Sequence, residues 1–183
     1  MKKNSWVWIL VGAVAVNLCI SLPIAIGMVS GGLWKVLPQG VNLSMPSTTQ
    51  AAPDFDLPTL SGGRVQLSSF SEKPLVLAFG TTWCPSCGEE APVLQQISVQ
   101  HPEVYVLLID PQESRTDVAA FAGGHNLTFT IALDESGAVA DSYRVRAIPC
   151  TFFVDTQGQI RYRHVGVLDD ESLEKGLKAL NGE

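Results

Sequence analysis

The chain has 183 residues, 46% of them hydrophobic, and carries 18 acidic against 12 basic side chains for a formal charge of −6. That length leaves room for one ordinary domain and an appendage. The acidic balance argues against nucleic acid or an anionic lipid surface as the partner, since both require a positive face.

The first feature along the chain is an apolar run. No charged side chain occurs between Lys3 and Lys35, and residues 6–29 are almost wholly apolar. At about 1.5 Å per residue that run reaches roughly 36 Å, more than a hydrocarbon core of about 30 Å. It is also longer than the roughly 7–15 apolar residues of a cleaved secretory signal. Residues 1–36 are therefore expected to be an uncleaved transmembrane anchor that meets the lipid bilayer through residues 6–29. Lys2, Lys3 and the α-amino group precede the span and only Lys35 follows closely, which keeps the N-terminus cytoplasmic. The expected location is the cell membrane, single-pass, with everything after the anchor on the periplasmic or extracellular side. Residues 37–53 hold Pro, Gly, Ser, Thr, Gln and Asn without a charge and read as a flexible linker.

From Asp54 to Glu183 strand-like and helix-like segments alternate. A short strand is expected at Arg64–Leu67, and the continuous apolar run Leu75–Phe79 reads as a buried central strand. Helical spacing covers Ser86–Gln100. A second buried strand, Val104–Ile109, is expected to stop at Asp110-Pro111. A helix over Ser114–Ala122, ended by Gly123-Gly124, precedes a strand over Leu127–Leu133 and a short helix over Ala138–Tyr143. Thr151–Val154 and Gln159–Val165 form a hairpin around Thr156-Gln157-Gly158, and Asp169 or Asp170 caps a last helix reaching about Leu180. This order predicts an α/β fold with a mixed central sheet and flanking helices.

The segment that carries chemistry is Trp83-Cys84-Pro85-Ser86-Cys87, where a buried strand gives way to a helix. Pro85 suits the first helical position, where its missing N–H costs nothing. Cys84 then sits at the helix N-terminus, whose unpaired N–H groups and dipole favour a thiolate. Cys87, one turn on, is within reach to resolve a mixed disulfide formed at Cys84. Cys84 is expected to be the more exposed of the two. The alternatives at this spacing are half of a zinc site, for which a second pair is missing, and a structural disulfide, whose four-residue loop restrains little of the unfolded chain.

With these residues in view, the chain from about residue 53 to residue 183 resembles the TlpA/ResA-like family of membrane-anchored, thioredoxin-fold thiol–disulfide oxidoreductases. That family includes the cytochrome c maturation reductases CcmG and DsbE. The resemblance rests on Ala52-Pro53-Asp54-Phe55, the Trp83–Cys87 segment, Glu90-Ala91-Pro92, and Ile148-Pro149 followed by Thr151-Phe152-Phe153-Val154-Asp155. Residues 114–133 match that family's insertion between the two halves of the fold. The resemblance implies a thioredoxin-like domain and an active-site acid at Glu90. It also implies a cis Pro149 set against the cysteine pair, and a substrate groove formed by Trp83, Pro85, Ser86 and the backbone of Ile148. It implies no cofactor and no metal. The partners it implies are a disulfide-bearing protein substrate such as apocytochrome c and a membrane thiol-electron donor. Trp83 is expected to pack beside the pair and shield it, and Pro92 to bend the helix. Glu89 is expected to be solvated.

Two departures from the pattern stand out. Ala78 lies where thioredoxins proper carry a buried acid, leaving Glu90, water or the substrate as proton acceptor. Cys150 follows the proline where threonine is common, and is either an apolar filler or a third redox thiol. Cys19, within the apolar run, is expected to be inert. His101, His125 and His164 show no paired spacing and are expected to be structural or exposed. Two other functions use the same residues. Thr81-x-x-Cys84 resembles a peroxiredoxin loop, although Leu77 replaces its proline, and an anchored thioredoxin fold also suits a Sco-like copper-delivery module.

Overall fold

A computed structural model describes residues 50–182. The expected anchor, Cys19 and most of the linker lie outside the described residues. Among the described residues, no helix is long and apolar enough to cross a membrane.

Six strands form the main sheet: β1 (Gln50–Ala51), β4 (Leu75–Phe79), β5 (Tyr105–Pro111), β6 (Thr130–Asp134), β7 (Cys150–Val154) and β8 (Gln159–Val165). Their order is β1-β8-β7-β4-β5-β6. β4, β5 and β6 run parallel, whereas β7 is antiparallel to β4, and β8 to β7. A separate hairpin pairs β2 (Asp56–Pro58) with β3 (Arg64–Gln66). Among the described residues four α-helices accompany the sheets: α1 (Pro85–Gln100), α2 (Arg115–Gly124), α3 (Ala138–Ser142) and α4 (Asp170–Leu180). The mixed sheet with flanking helices is the thioredoxin-like α/β architecture.

β4 is buried at all five positions because it has strands on both edges and packed layers on both faces. Its side chains alternate between two cores. Leu75, Leu77 and Phe79 join Phe152, Tyr143 and Phe55 on one face, while Val76 and Ala78 join Leu94 and Ile97 of α1 and Val118 of α2 on the other. The second face also carries Cys87 and Glu90.

Local signals place the helix starts. Ser114 caps α2 by accepting from Asp117 N–H at 3.2 Å, and Asp169 caps α4 by accepting from Ser172 N–H at 2.8 Å; such caps are worth about 1 kcal/mol each. The hairpin turn between β7 and β8 uses Gly158 at φ 72°, a conformation that favours glycine.

Several boundaries differ from the sequence reading. β5 runs on through Asp110 and Pro111, because β6 supplies a parallel partner as far as Asp134. α2 continues through Gly123 and Gly124 and ends at His125. The helix expected over Ser86–Gln100 begins one residue earlier, at Pro85, and contains Pro92. The expected strand at residues 127–133 forms only from Thr130. Gln50–Ala51, within the expected linker, pairs with β8.

α4 approaches the sheet closely at Gly176, where a β-carbon would overlap the Phe153 ring. Gly176→Ala is expected to lower stability by about 1–3 kcal/mol, the usual cost of overpacking. This would show as a lower urea midpoint with an unchanged denaturant slope.

Candidate active site

The chain leaves the buried strand β4 at Phe79, turns through residues 80–83 and enters α1 at Pro85. Cys84 is the helix N-cap, with φ −87° and ψ 114°, and its own sulfur does the capping: Cys87 N–H donates to Cys84 Sγ at 3.3 Å. A donor aimed at this sulfur stabilises negative charge as it develops there. From the other side the Cys84 thiol faces the carbonyl of Ile148 at 4.0 Å. Ile148-Pro149 is a cis peptide and Pro149 is buried. The two cysteines and Cys150 are free thiols.

Lodged between the helix end and the Ile148 carbonyl, Cys84 is 7% exposed against 5% for Cys87. The expected contrast between an open and a hidden cysteine is therefore slight. Trp83 is 71% exposed and does not cover the pair, because it precedes the N-cap and points outward. Together with Gln112, Val145, Arg146 and Ile148 it lines a groove of about 460 Å³. Pro85 is exposed and Ser86 half-buried beside it.

Glu90 lies one turn beyond Cys87 and is only 2% exposed. Its Oε1 accepts from Thr151 Oγ1 at 3.3 Å and from Leu168 N–H at 3.2 Å, tying α1 to β7 and to the loop before α4. Burial pushes the Glu90 carboxyl up to about 7, against the opposing pull of those two donors. Burial likewise pushes the Cys87 thiol up to about 12, with the neighbouring Cys84 sulfur and the Glu90 charge acting in the same direction. Glu89, by contrast, is exposed.

Cys150 pairs with Phe79 in register and packs among Phe79, Phe152 and Val154. Its neighbour Thr151 points to Glu90, so strand alternation sends the Cys150 sulfur to the opposite face of the sheet from Cys87. There it accepts from Arg163 Nε at 3.3 Å. The histidines are spread out: His101 pairs with Glu103, His125 stacks on Phe121, and His164 meets the Val167 carbonyl. Among the described residues no three His, Cys, Asp or Glu side chains are grouped as metal ligands.

Two acids near the pair were not anticipated. Glu113 accepts from both Thr82 N–H and Thr82 Oγ1 at 2.6 Å, holding the loop that leads into Cys84. Asp110, read from the sequence as a strand stop, is 2% exposed on the catalytic face. Burial pushes its carboxyl up to about 8, and Glu113 and Asp117 add to the effect. An Asp-Pro pair after an apolar run signals a turn locally, and nothing near it in sequence announces burial.

Two thiols one turn apart, one of them capping the helix with its sulfur, are equipped for disulfide exchange, and on this fold they define a thiol–disulfide oxidoreductase. The chain belongs to the AhpC/TSA family, whose model matches residues 48–163. It is 36% identical over 132 residues to the thioredoxin-like protein YneN of Bacillus subtilis, covering 70% of this chain and 77% of that one. It is 31% identical over 131 residues to the thiol-disulfide oxidoreductase ResA of Geobacillus kaustophilus, covering 70% and 75%. Among solved structures it resembles a secreted Mycobacterium tuberculosis disulfide oxidoreductase homologous to E. coli DsbE. The TM-score is 0.62 with 30% identity, covering 69% of this chain and 96% of that one. The protein is thus an enzyme of the ResA/DsbE type, a protein disulfide oxidoreductase.

The raised Glu90 carboxyl makes stability depend on pH. The unfolded chain releases this proton near 4.5, the folded protein near 7. Between those values the native state holds the extra proton, so stability falls as pH rises and levels off above about 7. Glu90→Gln keeps an oxygen for both donors and removes the penalty. Its stability relative to the unsubstituted protein is expected to grow between pH 4.5 and 7.5, to at most about 3 kcal/mol. Urea titrations at several pH values measure this, and a constant difference would mean Glu90 does not titrate in that window.

Proposed function

We propose that this enzyme is anchored in the cell membrane through residues 6–29 and reduces protein disulfides on the periplasmic or extracellular side. Its substrate is oxidised apocytochrome c, and a membrane thiol donor supplies its electrons. The dithiol at the capped start of α1, with the Cys84 thiol against the Ile148 carbonyl, carries the reading. The reducing direction rests on the resemblance to the cytochrome c maturation reductases of the DsbE type. The long uncharged run before Lys35 and the acidic balance of the remainder support the anchor and its orientation. Secretion of the M. tuberculosis relative agrees with an extracytoplasmic domain, and its homology to DsbE supports a role in cytochrome c maturation.

The deciding measurement is the reduction potential of the full-length protein, equilibrated with defined thiol buffers in detergent. A value near or below about −270 mV is expected for a dedicated reductant, whereas one near −120 mV would reverse the direction. Cys84→Ser is expected to abolish turnover, and Cys87→Ser to accumulate a mixed disulfide with substrate, visible on non-reducing gels. Full cycling by Cys87→Ser would rule out the dithiol mechanism. Rapid peroxide consumption by the reduced enzyme would favour a thiol peroxidase instead.

A further inference from the structure

Beneath the cysteine pair lies a cavity of about 10 Å³ lined by Thr81, Cys87, Glu90 and Asp110, with Leu94 and Phe121 among its apolar walls. That is room for one water. Three buried side-chain groups among the described residues have no hydrogen-bond partner, and two of them, Thr81 Oγ1 and Asp110 Oδ1, belong to residues lining this cavity. A buried polar atom left unsatisfied costs about 1–3 kcal/mol. A single water bonded to both removes two such penalties, and it would lie against Cys87 and Glu90.

We propose that this cavity holds a water through which Asp110 takes up and returns the proton of Cys87, making Asp110 the proton-relay residue of the enzyme. The inference rests on the dithiol reading and deepens it. When substrate is joined to Cys84, the Cys87 S–H passes its proton through the water to the Asp110 carboxylate. The Cys87 thiolate attacks Cys84, the Cys84–Cys87 bond forms, and the bond from Cys84 to substrate breaks. The substrate sulfur departs as a thiolate, taking the two electrons that the cysteine pair has lost. When a thiol donor later reduces the pair, the proton goes back from Asp110 to Cys87.

Asp110 fits the task better than the other groups. Ala78, in the core on the same face of the sheet, has no proton to exchange, and Glu90 Oε1 is already held by Thr151 and Leu168. Burial acts first on Asp110, and Glu113 after β5 and Asp117 on α2 add to it. Cys87 and Glu90 on α1 share the cavity with it, and among the described residues no basic side chain lines that cavity. His125, at the end of α2, is turned to Phe121 and Gly88 instead. These surroundings hold the Asp110 carboxyl at about 8, close to working pH, where a general base is most effective. Glu113, which acts on Asp110 and is only half-buried, gives the proton a way to solvent.

The test is stopped-flow reaction of the reduced full-length protein with a chromogenic aromatic disulfide. One aromatic thiol is released when Cys84 attacks, the second when Cys87 resolves the mixed disulfide. In Asp110→Asn the first phase is expected to be unchanged. The second is expected to slow at least about tenfold at pH 7 and to approach the unsubstituted rate at high pH, where hydroxide replaces the base. Thr81→Val, which keeps Asp110 but removes one partner of the water, is expected to slow the same phase. Second phases that overlay in all three proteins overturn the relay, as does an Asp110→Asn rate reduced by one factor at every pH. Absence of any intramolecular second phase in the unsubstituted enzyme would instead refute the dithiol reading itself.

Discussion

The active site depends on the junction at which β4 becomes α1. A buried strand must end, turn and present unpaired N–H groups within five residues, and here a cysteine sulfur meets one of those donors. The hydrogen bond that caps the helix is therefore the one that steadies charge on the attacking sulfur. Fold and reactivity share one contact. Glu113 reinforces the arrangement by gripping Thr82, so the loop before Cys84 is held at both ends.

Around that junction the protein accepts costs that a core built for stability would avoid. Glu90 and Asp110 are carboxyls set among apolar side chains, and burial pushes both upward. Replacing buried acids with neutral groups usually stabilises a protein, and positions that break this rule cluster at functional sites. The two acids have different roles. Glu90 bridges three elements through one oxygen, whereas Asp110 leaves an oxygen unpaired near the cavity beside Cys87.

Strand alternation separates what matters from what does not. Thr151 and Cys150 are adjacent in sequence, yet one reaches Glu90 and the other packs against Phe79 and Phe152 on the far face. The third thiol is removed from the site by a sheet one strand thick. Arg163 bonds it there, lying over the Phe152 ring at 5.2 Å.

Much of this was legible in the amino-acid order. Apolar runs marked β4 and β5, Ser114 and Asp169 marked helix starts, and the cysteine spacing after a buried strand placed the pair at the start of α1. Resemblance to a family added the cis proline and Glu90. These features depend on preferences set within a turn or two of the residue concerned, so local pattern is enough to find them. What stayed hidden was the environment. Glu113 holds Thr82 across 31 residues, Thr151 meets Glu90 across 61, and Leu168 meets it across 78. Trp83 proved exposed and Cys84 nearly as buried as Cys87, since neither exposure follows from residue type. Asp110 looked like a turn residue until β6 extended its strand and the packed helices enclosed it. Which side chains can ionise is decided by how much water and which charges lie nearby, and only packing between distant segments determines that.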